Sequence, residues 1–229
     1  MKLSIVIPCY NEEATIKKII QKIKDQKQID KEIIVVDDHS LDGTRSILNN
    51  DLKNDIQKII LNPKNYGKGY SIRMGIKEAT GDFILIQDAD LEYDPSDYEK
   101  LLSPLKDGIA DVVYGSRFIG TSERRVLYFW HTVGNKFLTL LSNIFSNLNL
   151  TDMEVGYKVF KSNVLKELDL KENRFGFEPE VTAKIAKKNF KIYEVGVKYF
   201  GRKYSEGKKI TWKDGFSAIR CIIKYNLFK

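Results

Sequence analysis

Short apolar runs alternate with amphipathic stretches along the first half of the chain. Residues 3–7, 32–36, 56–61 and 83–87 are strand-length runs rich in isoleucine, valine and leucine, each closed by polar or turn-forming residues. Runs this short and this apolar predict buried strands. Between the first two, Ile16, Ile19, Ile20 and Ile23 recur at helical spacing, with Glu12 and Glu13 ahead of them. That pattern predicts a helix opening at Asn11 and running to about Lys24. Residues 44–52, 69–79 and 97–105 also read as helices, and 111–114 as a further strand. Strands alternating with helices predict an α/β fold: a Rossmann-like, mostly parallel sheet flanked by helices and joined by right-handed crossovers.

The second half is less regular. Residues 126–150 place Trp130, Val133, Phe137, Leu141, Ile144 and Leu148 on one side of a helix, against Thr132, Asn135, Lys136, Thr139, Asn143 and Asn147 on the other. The polar interruptions make a poor membrane span. The stretch is either a core helix or one lying in a membrane interface, with Trp130, Phe137, Leu141 and Phe145 as its apolar face. Residues 178–188 read as a helix and 191–199 as a strand, followed by a basic amphipathic tail from Gly215.

No linker-like, low-complexity or repeated tract divides the 229 residues, so a single domain is expected over 1–229. The net charge of +7 and pI near 9.1 admit a polyanionic substrate, an anionic membrane surface or nucleic acid. Nucleic acid is set aside as a partner, because no basic helix is interleaved with aromatic residues. Cys9 and Cys221 are far apart and in no C-x-x-C pair, and residues 1–8 read as a strand and turn rather than a leader. A reduced, cytoplasmic setting without structural zinc is expected.

The fourth apolar run ends in Gln87-Asp88-Ala89-Asp90-Leu91-Glu92. The carboxyl ends of strands are where open α/β sheets bind ligands. Alternation points Asp88 and Asp90 to one side, with Glu92 next in the series. Such hard oxygens suit Mg²⁺ or Mn²⁺ shared with substrate phosphates. The bland alternative is an acidic, solvated turn. Four companions stand in order along the chain: Pro8-Cys9-Tyr10-Asn11-Glu12, Asp37-Asp38-His39-Ser40, Asn65-Tyr66-Gly67-Lys68-Gly69, and Gly115-Ser116-Arg117-Phe118.

Together these motifs resemble the family 2 glycosyltransferases, over roughly residues 3–212. Within that family they are most similar to enzymes that load a sugar onto a polyprenyl phosphate, of the dolichol-phosphate mannosyltransferase type. The resemblance implies a GT-A fold, a nucleotide-sugar donor such as GDP-mannose or a UDP-hexose, a divalent metal and inversion at the anomeric carbon. It assigns residues 1–120 to nucleotide-sugar and metal, 121–212 to the acceptor, and 213–229 to a basic tail. It places Pro8, Tyr10, Asn11, Glu12, Asp37, Asp38, Lys68, Asp88, Ala89 and Asp90 around the donor, and Asp88, Asp90 and Glu92 on the metal. Relatives often carry Gln at the position of Glu92. Asp37 is alternatively a turn cap, and Lys68 a surface charge.

Arg117, Arg124, Arg125, Arg202 and Lys208 are expected at the acceptor phosphate, where forked guanidinium groups suit phosphate oxygens. Catalytic roles fall to Asp90, Arg117 and Asp152. Asp152 acts as a base if the acceptor is a sugar hydroxyl, orients cationic partners if it is a lipid phosphate, or caps a helix. His39 and His131 are read as structural. A Gln-x-x-Arg-Trp motif, expected of a processive synthase, is absent from the sequence. The acceptor expected is polyprenyl phosphate, with a glycan or glycolipid hydroxyl as the alternative. A non-enzymatic scaffold that binds nucleotide-sugars is the reading from a different class. A lipid acceptor predicts peripheral attachment to the cytosolic face of a membrane through residues 126–150, Arg124, Arg125, Arg220, Lys224 and Lys229. A membrane-anchored partner subunit or a second copy of the chain is the alternative attachment.

Overall fold

The protein was analysed as a computed structural model that describes residues 1–120, 125, 126, 128–202 and 212–228. Strand β1 (Leu3–Cys9) lies inside the sheet, parallel to β2 (Lys31–Asp37) on one side and β4 (Phe83–Ile86) on the other. Ile5 stands opposite Ile33 and Leu85 in this register. Branched side chains on both faces bury the strand completely at Ile5, Val6 and Ile7, as a parallel sheet covered on both sides requires. β3 (Lys58–Leu61) adds outside β2.

Beyond β4 the sheet departs from a plain alternation. β6 (Lys158–Lys161) inserts antiparallel between β4 and β5 (Val112–Ser116), and β7 (Ile192–Gly196) pairs parallel to β5, giving the order β3-β2-β1-β4-β6-β5-β7. The sequence pattern did not indicate β6, since it is four residues long with lysine at each end. Lys158 is nevertheless fully buried: its ammonium donates to the carbonyls of Met153 (3.0 Å) and Val155, and lies 4.6 Å from the Tyr114 ring centre. Because β6 runs against its neighbours, its first residue pairs with Ile86 and Tyr114 near their strands' carboxyl ends. The turn before it is thereby delivered to the edge that carries Asp88 and Arg117.

Helices α1 (Ile16–Lys24), α2 (Thr44–Asn50), α3 (Lys68–Glu78), α4 (Tyr98–Lys106), α5 (Phe129–Ser146), α6 (Ser162–Glu167), α7 (Phe177–Lys187) and α8 (Trp212–Ile223) complete the fold. A π-turn follows at Lys224–Phe228. The isoleucine face of α1 is fully buried, as its spacing predicts, but the helix opens five residues later than expected. Asn11 takes a left-handed φ of 50°, and Thr15 and Ile16 donate their backbone N–H groups to the Glu12 carbonyl, so residues 11–15 form a turn.

The orientation of α5 is the largest surprise in the fold. Its protein-facing side carries Thr139 and Ser142, both buried, together with Asn143. Asn143 donates to the Leu150 carbonyl (2.8 Å) and accepts from the Leu150 N–H (3.1 Å), and Thr139 Oγ1 accepts from the Met153 N–H (3.1 Å). The outward side carries Trp130 (77% exposed), Val133, Phe137, Leu140 and Ile144 (67% exposed). Leu141 and Phe145, expected on the exposed apolar face, instead pack against the core. The buried side of the helix mixes polar and apolar residues, and a second set of apolar residues is turned outward.

α3 begins at a backbone position that only glycine fills easily. Gly67 has φ 103° and ψ 162°, its N–H donates to Asp38 Oδ2 (2.6 Å), and a Cβ there would lie 2.4 Å from the Asn173 carbonyl oxygen. Gly67→Ala is expected to destabilise the protein by about 1–3 kcal/mol through backbone strain, read as a lower urea midpoint. An unchanged midpoint would show that the 173 segment yields without cost.

Candidate active site

A cavity of about 870 Å³ opens along the carboxyl ends of β1, β2, β4 and β5. Pro8, Tyr10 and Glu12 line it from the end of β1, Asp38 from the end of β2, Lys68 from the start of α3, Asp88, Ala89 and Asp90 from the end of β4, and Arg117 from the end of β5. Tyr128, Trp130, His131 and Leu138 of the α5 region and Ala218 of α8 form the other wall. The structure thus gathers most of the sequence-predicted donor residues around one space.

Two of them have other work. Asp37 is fully buried, with Arg45 Nε 2.5 Å and the Ser40 N–H 3.1 Å from its Oδ2, and it does not line the cavity. This is the turn-capping arrangement weighed for it above. The Asn11 side chain accepts from the Leu41 N–H (2.8 Å) and likewise is not on the cavity wall. Asp38 organises the neighbouring loop: Oδ1 accepts from Asn62 Nδ2 (2.8 Å) and the Tyr66 N–H (3.0 Å), while Oδ2 takes the Gly67 N–H. His39 has φ 65°, in keeping with a structural turn residue, and His131 faces the cavity.

Lys68 is held among carboxylates. Its ammonium is 2.8 Å from Asp88 and 3.3 Å from Glu178 on the first turn of α7. Burial alone would lower its pKa, but the charges of Asp88 and Glu178 outweigh this and keep it protonated well above the usual lysine range. Arg202, expected at the acceptor phosphate, sits on the acidic side instead. Its guanidinium is 2.6 Å from Asp90, 3.4 Å from Glu92 and 3.7 Å from Glu12.

Glu92 also accepts from the Arg202 N–H (2.9 Å) and the Tyr199 hydroxyl (3.1 Å). The three-carboxylate metal set expected from Asp88, Asp90 and Glu92 is therefore not assembled, and no group of three such ligands is poised for an ion among the described residues. Asp88 and Asp90 do fit a hard divalent ion. Both face the cavity, and burial, followed by the charges of Asp88 and Glu92, pushes the Asp90 carboxyl up to about 7 despite Arg202. The pair is short of positive charge, and Mg²⁺-type sites commonly use one or two carboxylates with substrate phosphates.

On the far side, Arg117 and Asp152 form a forked pair. Nε and Nη2 of Arg117 each lie 2.7 Å from one Asp152 oxygen, and the Arg117 N–H adds a bond of 3.0 Å. Asp152 is 0% exposed and does not line the cavity, whereas Arg117 does, with its guanidinium 5.3 Å from the Tyr199 ring centre. Burial would lower the Arg117 pKa, but Asp152 holds it well above the ordinary arginine value. Arg125 lines the cavity too and ties its segment to the chain beyond β7 through the Gly201 carbonyl (3.2 Å). Arg124 and Lys208 lie outside the described residues.

Sequence reasoning missed Glu154, Glu178 and Tyr93, which also line the cavity. Glu154 is two residues from Asp152 in the turn before β6. Burial, followed by the charge of Glu178, raises its pKa to about 8. The signal available was a second acidic residue close to another in the sequence, which does not distinguish an inward carboxylate from a solvated one.

The sequence pattern of glycosyl transferase family 2 matches residues 4–169. The chain is 29% identical over 225 residues to the low-salt glycan biosynthesis hexosyltransferase Agl6 of Haloferax volcanii, covering 96% of this chain and 53% of that protein. It is 29% identical over 232 residues to the dolichol-phosphate mannosyltransferase of Pyrococcus furiosus, covering 100% of this chain and 64% of that one. The chain thus spans about half to two thirds of the length of these two relatives. In three dimensions it resembles the Mycobacterium tuberculosis glucosyl-3-phosphoglycerate synthase solved with Mn²⁺, UDP and glucosyl-3-phosphoglycerate. That match has a TM-score of 0.76 at 20% identity, over 98% of this chain and 80% of the other.

Removing Asp152 is expected to be costly to the fold itself. Asp152→Ala removes the fully buried partner of a guanidinium that is only 12% exposed and should destabilise by about 3–5 kcal/mol, the range for breaking a buried pair, in urea unfolding. A change within about 0.5 kcal/mol, the usual range for a surface site, would show that the fork is not structural.

Proposed function

The chain belongs to glycosyl transferase family 2, and from that premise we propose that it is an inverting, metal-dependent hexosyltransferase acting on polyprenyl phosphate. Its fold is the GT-A fold of the solved relatives. The donor is a nucleotide-sugar, GDP-mannose or a UDP-hexose, with the nucleoside toward Pro8, Tyr10, Glu12 and Asp38. Asp88 and Asp90 would hold Mg²⁺ or Mn²⁺, whose charge offsets that of the departing diphosphate. The Mn²⁺ and UDP of the solved relative support this arrangement. Lys68 and Arg202 add positive charge on the same side of the cavity.

The observation that carries the lipid acceptor is the outward apolar stripe of α5, on the helix that also walls the cavity opposite the donor residues. A stripe of Trp130, Phe137, Leu140 and Ile144 facing water would be unfavourable. Facing lipid, it sets the cavity mouth at the depth of a lipid phosphate. No helix among the described residues is long and apolar enough to cross a membrane; the docking proposed here is peripheral. Phe216, Leu227 and Phe228 extend the exposed apolar surface, and Arg125 and Lys136 supply exposed positive charge. Arg220 and Lys224 contribute less than their number suggests, because both pair with Glu172 at 2.6 and 3.1 Å. Lys229 lies outside the described residues.

Chemistry at the acceptor is simple. A phosphate monoester with a second pKa of about 6 is largely dianionic at neutral pH. One of its oxygens attacks the anomeric carbon from the face opposite the leaving group. The bond from that carbon to the β-phosphate oxygen breaks, and its electron pair leaves with the nucleoside diphosphate. No proton has to be removed, which agrees with Asp152 having both oxygens engaged by Arg117. In this reading Asp152 is a positioning residue, and Arg117 presents its charge to the acceptor phosphate.

Incubating the protein with UDP-glucose or GDP-mannose, a short-chain polyprenyl phosphate and Mn²⁺ should yield a lipid-linked sugar. EDTA should abolish transfer, and Asp90→Asn should lower it by about 10²-fold or more, the usual loss of an electrostatic stabiliser. Full activity in chelator overturns the metal role. Transfer to glycan hydroxyls alone overturns the lipid acceptor.

Anionic vesicles should bind the protein at low salt and release it as salt rises. Trp130→Glu should weaken binding by about tenfold or more, since a large buried apolar side chain is worth about 1.5–3 kcal/mol. Absence of binding at low salt, with dimers in solution, would assign the stripe to a second copy instead.

A further inference from the structure

We infer that Glu154 and Glu178 form the subsite that accepts hydrogen bonds from the hydroxyl groups of the transferred hexose. The inference rests on reading the cavity as a nucleotide-sugar site. Among the described residues, buried side-chain polar atoms without a partner occur on Asp37, His39, Arg73, Glu154 and Glu178. Of these residues, Glu154 and Glu178 line the cavity. Glu178 is 5% exposed; one carboxylate oxygen meets Lys68 at 3.3 Å and the other, Oε2, has no partner. Oε1 of Glu154 is in the same state. A buried acceptor left unpaired is costly, so a bound group that donates to it gains affinity.

The chemistry of that group is narrow. The charge of Glu178 would repel a phosphate, and together with burial it favours the protonated form of Glu154, which holds a metal ion poorly. A metal ion in their place would meet Lys68, and Lys158 bears on both glutamates as well. What remains is a neutral donor, and a pyranose offers several hydroxyls close together. Position agrees with chemistry. Lys68 joins Glu178 to Asp88, on the diphosphate side, while the charge of Arg117, on the acceptor side, bears on Glu154. The group transferred must lie between those two sides. A site built to hydrogen-bond hydroxyls also discriminates strongly against donors that lack one, so the pair selects the sugar.

The test compares two dissociation constants for each protein, measured by calorimetry with Mn²⁺: UDP against UDP-glucose, and GDP against GDP-mannose. For the pair that the wild type binds, Glu178→Gln and Glu154→Gln should weaken the nucleotide-sugar by about tenfold, or about 1.4 kcal/mol, relative to the nucleoside diphosphate. Nucleoside diphosphate affinity should stay within about twofold, which also shows that the variants are folded. Parallel loss of both ligands would mean the glutamates act through Lys68 on the diphosphate, and no loss of either would mean they touch nothing; each result overturns the inference and leaves the proposed function standing. A wild type that binds none of the four ligands removes the proposed function and the inference together. If the variants do not fold, deoxy-sugar donors decide on the wild type alone. A tenfold loss for at least one missing hydroxyl supports the subsite, and equal affinity for all of them overturns it.

Discussion

A carboxylate withdrawn from water has to be met by a cation or by hydrogen-bond donors, and this protein crowds several of them around one cavity. Glu12 follows β1, Asp88 and Asp90 follow β4, and Glu178 opens α7. No local element can neutralise them. Lys68 therefore bridges Asp88 and Glu178, and Arg202 reaches Glu12, Asp90 and Glu92 from beyond β7. Each cation ties together segments remote in sequence, so the shape of the cavity is set by charge pairing as much as by the apolar core beneath it. The cavity still holds less positive charge than its carboxylates ask for, which is the electrostatic state expected of a site that receives a metal and a polar ligand.

The reversal of β6 does comparable work on the other wall. A parallel strand in that place would have sent the preceding turn to the opposite edge of the sheet. Running antiparallel, β6 brings Asp152 to Arg117 and Gly156 against Asp88, where a Cβ would come within 2.5 Å of a carboxylate oxygen. The same turn is held from outside by the polar face of α5, through Asn143 and Thr139. Amphipathicity in α5 thus has two uses. Its polar residues brace the turn before β6, and Trp130, Phe137, Leu140 and Ile144 are left facing outward.

The two walls of the cavity are built by different means. One wall comes from strand ends in the repeating β–α part of the chain, where backbone direction alone aims Asp38, Asp88 and Asp90 at the cavity. The other depends on contacts among segments that have no such repeat: the 152–157 turn, α5, α7 and α8.

The apolar runs and helical spacings of the first half were enough to specify β1 to β5 and α1 to α4 within a few residues. The reason is that burial on a sheet or a helix face imposes a period that residues such as Ile16, Ile19, Ile20 and Ile23 display directly. The strand-end carboxylates were legible for the same reason, since a strand's direction fixes where its last residues point. Folding alone decided matters that no period encodes. Lys158 is a buried lysine because two carbonyls and an aromatic ring are waiting for it. Asp37 is off the cavity wall because Arg45 reaches it first. Arg202 lies with the metal-side carboxylates because the chain returns there after β7. Most of all, the period of α5 showed that it had two faces but not which one turned inward. That choice follows from what surrounds a helix: hydrogen-bonding groups of the 150–153 turn on one side, and a medium outside the chain on the other.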